Sequence, residues 1–442
     1  MLLDELERRL DSFDAGERRK ALTALREMVE TGATPLPKAG TDVNLHAHTF
    51  FSFNSYGYSP SKLAWLFRKE GLAAGGVVDF DVLDALEEFL ESAKMLGLKA
   101  AAGFETRVFV PEFAARVINS PGEPGISYHV GAGLPTANLK GDLLHFLAKM
   151  RQTAQQRNRD LMERVNKYLE PVVLDYEKDV LILTPSGNAT ERHICLAYAR
   201  KAGKRFGKVE DLAHFWTEKL DAEAASAGLP ESRELLDTIR AKTMKRGGVG
   251  YVQPDGKSFP LMSETNDFIL KAGGIPTLAW LNGLSEAEQA IDELLDVAMG
   301  SGTAAVTLMP DRNYKPGVKD EKLENLYAFI ELVEDRGLPI FAGTEMNSPG
   351  QKFVDAFASD ELSPLVPVFL KGANILFGHS ALQRQAGLGY CSQWAKKTFD
   401  QVADKNDFFE ALGNFLHPKA ENILADANEN STPEEILALI ST

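Results

Sequence analysis

The chain opens with apolar residues at helical spacing. Leu2, Leu3, Leu6 and Leu10 recur every three or four positions, and the stretch from Ala21 to Val29 repeats that period. The Gly- and Pro-containing segment TGATPLPKAG, residues 31–40, then breaks the pattern. Residues 1–40 therefore read as a helical leader. From Asp42 onward the period changes, and short β-type runs alternate with helical ones. The predicted strands cover 43–48, 73–80, 98–110, 125–131, 275–281, 303–309 and 338–346. Helical stretches such as SKLAWLFRKEG (61–71) and DALEEFLESAKMLG (84–97) lie between most of them. Strands alternating with helices predict a parallel sheet or barrel, and seven strands suit a barrel better than a small open sheet.

The alternation stops between the fourth and fifth runs. Residues 137–261 are mainly helical and charged, as in LLHFLAKMRQTAQQRNRDLMERVNKYLE and RELLDTIRAKTMKR. The pattern predicts a barrel in two parts, 41–136 and 262–442, with a helical subdomain inserted between them and further helices at the C-terminal end. At 442 residues the chain has room for one large α/β domain plus such additions.

Composition narrows the function classes. The net charge of −15 argues against a general nucleic-acid binder, which needs a basic surface to displace counterions from phosphates. It leaves room for a small anionic substrate, because metal ions or arginines reverse the field locally. The pattern contains no apolar run near the roughly 20 residues needed to cross a bilayer, and the amphipathic N-terminus lacks a signal-peptide core. No membrane association is expected. Two cysteines, Cys195 and Cys391, imply no disulfide framework and fit a reducing compartment, so a cytoplasmic location is expected.

The segment Asn44-Leu45-His46-Ala47-His48 carries the first chemical signal. On a strand, alternate residues share a face, so His46 and His48 point the same way and can grip one divalent metal. An isolated pair of this kind also fits two unrelated polar histidines. Its context favours the metal. Active sites of α/β barrels gather at strand C-terminal ends. Those ends here hold His46 and His48, Asp79 and Asp81, Glu105, His129, and Glu345 with Asn347. A buried carboxylate such as Glu105 needs a cation or a donor. Asp81 reads as a helix cap, whereas Asp79 stands open between cap and general base. His379 reads as structural.

Taken together these segments resemble the polymerase-and-histidinol-phosphatase (PHP) family. NLHAHTFFS (44–52) resembles its first motif, GGVVDFD (75–81) its Thr-Asp-His motif, AGFE (102–105) its Gly-Ile-Glu element, and SYHVGAGLP (127–135) the strand with a ligand histidine. KAGGIPTLAWLNG (271–283) resembles its AGG…LAHP segment, and FAGTEMNSPG (341–350) its Gly-Ser-Asp-x-His motif. The resemblance implies a distorted (β/α)7 barrel, a metal-dependent phosphoesterase, and a small phosphorylated substrate. It implies Glu105 as a catalytic bridging carboxylate and His46, His48, Glu105, His129 and Glu345 as metal ligands. In the insertion, TERHICLAYARKAG (190–203) resembles a phosphate-holding segment, which implies that Arg192 and His193 bind phosphate.

Several family ligands are missing. Phe80, Trp280 and Asn347 stand where the family has histidines, and no acidic residue directly follows Ser52. The expectation is one well-formed site for Zn, Mn or Fe, with a weaker second and no third. Phe80 and Trp280 are expected either to fill the emptied metal volume or to wall the site with apolar surface.

Overall fold

In this computed structural model the described residues are 2–220, 229–318, 320–348 and 350–440. Seven strands form one sheet in the order β1 (Val43–Ala47), β2 (Ala74–Phe80), β3 (Lys99–Phe109), β4 (Ile126–Ala132), β5 (Ile275–Trp280), β6 (Ala305–Leu308) and β7 (Ile340–Ala342). Six of the predicted runs enclose the observed strand, and the fourth is displaced by one residue. β1 to β3 and β5 to β7 pair in parallel, but β4 runs antiparallel to both neighbours. That corrects the expected all-parallel wall. The β3–β4 link holds only a short 3-10 turn, Pro111–Phe113, and an antiparallel pair needs no crossover helix.

The sheet curls until its ends nearly meet. A parallel bridge joins Ala47 to Glu345, with Glu345 N–H donating to His46 O at 2.7 Å and His48 N–H donating to Glu345 O at 2.8 Å. Gly343 permits this approach, since a Cβ there would sit 2.3 Å from His46 N. Glu345 and the following Met346 lie in left-handed backbone, with φ of +64° and +57°. Such strain persists where surrounding bonds over-determine it. The inside of the barrel is filled: the void lined by Leu45, His46, Val77, Thr307 and Phe341 measures only about 10 Å³. That void is too small to hold a ligand.

The opposite end is covered by the helix Val366–Ala386. Lys99, the first residue of β3, bonds Asn374 of this helix, and Gly372 packs where a Cβ would meet Ile340 O at 1.8 Å. With the preceding turn this segment, Ser363–Ala386, is long and apolar enough by composition to cross a membrane, contrary to the sequence expectation. Its apolar window is 72% buried, as a core helix would be. His379 on it is structural, accepting from Tyr390 N–H at Nδ1 and donating from Nε2 to Gly133 O. The leader helices Leu3–Arg9 and Ala15–Glu30 meet the next two helices, through Glu7 with Trp65 and Arg18 with Glu88.

Contacts divide the chain into two compact units. Residues 50–53 and 147–255 form the second, with its own core around Val165, Tyr198, Trp216 and Ile239.

Candidate metal centre

The alternation predicted for β1 holds. His46 and His48 point to one side with ring centroids 5.6 Å apart. Both Nε2 atoms aim at a single oxygen, Glu105 Oε2, at 3.5 Å and 3.0 Å. Register explains why Glu105 arrives there. β3 pairs Glu105 with Phe80 on one side and Val130 on the other, which turns all three toward the same face. One ligand atom from each of His46, His48 and Glu105 lies within 4.8 Å of the others, and no other His, Cys, Asp or Glu group among the described residues does this. All three are at most 3% exposed.

The electrostatics suit a cation. Burial raises the Glu105 carboxyl, but the imidazoles of His46 and His48 more than reverse it and hold it below the usual carboxylate range. Burial lowers His48, but the hydrogen bond and charge of Glu105, with Asp79 and Glu345 behind, outweigh that and raise it. Thr307 sets the His46 tautomer. Its hydroxyl donates to Phe341 O at 2.9 Å, so its oxygen accepts from His46 Nδ1 at 3.4 Å. The Nε2 lone pair is left for a ligand, and this buried atom has no hydrogen-bond partner. Two imidazole nitrogens and a carboxylate oxygen fit a divalent cation.

The surroundings differ from the expectation in several places. Phe80 stacks on His48 at 4.3 Å and forms an apolar wall. Asp79 faces away from Phe80, and both its oxygens accept from Thr49, from N–H at 2.8 Å and from Oγ1 at 2.6 Å. Asp81 does not cap the next helix, which begins at Leu86 after Ala85; it accepts from Thr106 Oγ1 at 2.6 Å. Trp280 does not enter the metal volume either. It lies flat on Phe329 of the helix Glu321–Asp335, at 4.3 Å and 6°.

His129 is also turned away. β4 pairs it with Thr106, not Glu105, so it faces the helix Met262–Lys271, where its Nε2 meets Asn266 Oδ1 at 2.6 Å. Burial lowers its pKa to about 4. Glu345 is close to the cluster but not among the converging ligands. Its Oε2 accepts from Arg312 at 2.6 Å and from Gln351 at 2.9 Å. Burial raises its carboxyl, and the charge of Arg312 brings it below the ordinary value. Sequence reasoning missed Arg312, which sits in the turn Pro310–Arg312 after β6.

In the second unit, the helix Glu191–Arg205 carries Arg192 and His193. Arg192 donates to Asp237. The His193 Nδ1 accepts from Thr190 N–H, closing the helix N-terminus, and burial lowers its pKa to about 3.

No family model matches the chain, and no curated relative does. Among solved structures it is similar to an amidohydrolase from Chromobacterium violaceum, solved with bound sulfate and no metal. That pair shares 16% identity and a TM-score of 0.48, over 70% of this chain and 88% of the other. It is also similar to a protein from Bifidobacterium adolescentis described as a "putative metal-dependent phosphoesterase". There the identity is 17% and the TM-score 0.47, over 75% of this chain and 97% of the other.

Proposed function

We propose that this chain is a metal-dependent hydrolase of the PHP type that cleaves a phosphate ester of a small molecule through a single-metal site. The observation that carries the reading is the meeting of two buried imidazole nitrogens and one buried carboxylate oxygen at the mouth of a barrel. His46, His48 and Glu105 would hold Zn, Mn or Fe. A cation bound there supplies Lewis acidity and makes water a stronger nucleophile at neutral pH. Glu105 carries the negative charge that retains the cation. Thr307 keeps His46 in the ligating tautomer. Phe80 excludes water from one side of His48, which strengthens the electrostatics of the site.

The test joins metal content to turnover. Elemental analysis should find about one divalent metal per chain. The loaded protein should release phosphate from members of a panel of phosphomonoesters and cyclic phosphodiesters, and His48→Ala should abolish both metal retention and release. Loaded wild type that releases nothing from the panel rejects the hydrolase. That outcome favours a second reading, a catalytically impaired module that keeps a metal and binds a small anion. The bonds from Thr49 to both oxygens of Asp79 support this alternative, because they occupy the nearest candidate general base.

A further inference from the structure

Arg312 has a placement that a purely structural arginine would not need. Its Nη2 donates to Glu345 Oε2 at 2.6 Å, and among the described residues that is its only side-chain hydrogen bond. A guanidinium has five N–H donors in a fixed fork, so most of this one is left unused. The side chain is 40% exposed. Glu345 holds it from one side and is itself fixed by Gln351 at 2.9 Å and by backbone bonds to β1. Glu345 bonds the backbone of both His46 and His48, so its partner Arg312 sits beside the metal cluster. Glu288, a further carboxylate that feels the charge of Arg312, spends its oxygens on the amides of Leu281, Asn282 and Gly283.

We propose that Arg312 is the substrate-anion residue of this site, gripping the phosphoryl group through the free edge of its guanidinium. The inference rests on the metal-centre reading and deepens it. Two parallel N–H donors match two oxygens of a phosphate, a geometry that an ammonium cannot supply. The charge balance makes the grip conditional. Glu105 and Glu345 set two carboxylates against one guanidinium, which disfavours an oxyanion. A divalent cation on His46, His48 and Glu105 reverses that balance. Arg312 thus supplies a fixed second positive charge in a site where Phe80 stands at the place of an expected ligand.

The experiment is calorimetric titration of inorganic phosphate, and separately of acetate, into protein carrying whichever of Zn or Mn it retains. Metal per chain is measured on every variant. Wild type should bind phosphate more tightly than acetate. Arg312→Met should keep its metal and bind phosphate roughly ten- to a hundredfold more weakly, with Arg312→Lys only partly restored. Equal phosphate affinity in wild type and Arg312→Met, or no phosphate binding by metal-loaded wild type, overturns the assignment. Tighter acetate binding overturns the phosphoryl class. If no metal is retained, the metal-centre reading fails by itself, and the titration is run without metal. Binding that depends on Arg312 then still supports its role, and its absence overturns it. Should Arg312→Met not fold, Arg312→Lys decides, and wild-type affinity in that variant rejects the proposal.

Discussion

The two sides of the barrel wall handle similar residues in opposite ways. On β1 to β3, His46, His48 and Glu105 turn inward and meet at one point. On β4 and β5, His129 and Trp280 turn outward, onto Asn266 and Phe329. The histidines even titrate in opposite directions: Glu105 raises His48, whereas burial without a charged partner lowers His129. The difference shows that a residue's identity at a strand end does not decide its role. The face does, and the face follows from register.

The contrast can be broken at three points. The largest effect is expected at Trp280, whose ring fills the interface with Phe329. Trp280→Ala should destabilise the fold by about 3–5 kcal/mol in chemical denaturation while leaving metal per chain unchanged. A loss of metal without a loss of stability would place Trp280 in the site instead. Next comes the inward side. Thr307→Val should weaken metal affinity roughly ten- to a hundredfold, measured by competition with a chelator, because His46 loses the acceptor that fixes its tautomer. Unchanged affinity would show that Thr307 does not set it.

The smallest effect is expected at His129. Its folded pKa is lowered to about 4, so the unfolded chain takes up the proton first as pH falls. Its contribution to stability is complete above about pH 6.5 and declines between there and about pH 4. His129→Gln should cost about 1 kcal/mol near neutrality and flatten the fall in melting temperature across that window. A slope identical to wild type would show that His129 titrates normally.

The same contrast explains what could be read in advance. Strand positions were legible because β-type runs are bounded by turns and helices. The pairing of His46 with His48 was legible because His46 lies on β1 and His48 directly follows its end, where alternation still settles the face. The inward orientation of Glu105 and the outward orientation of His129 depend on how strands align, which local pattern does not encode. The direction of β4 depends on its connections. Asp81 was misread as a cap because the helix begins five residues later, at Leu86. Arg312 gave no signal, since it lies in an aperiodic turn and its partner Glu345 is 33 positions away.

Glu345 does two jobs with different atoms. Its peptide group stitches the last strand's end to the first, and its carboxylate holds Arg312 in place. Ring closure and readiness for an anion are therefore one mechanical event. If that stitch unzips, the guanidinium loses its anchor in the same motion, so amide exchange at His48 and loss of phosphate affinity should rise together.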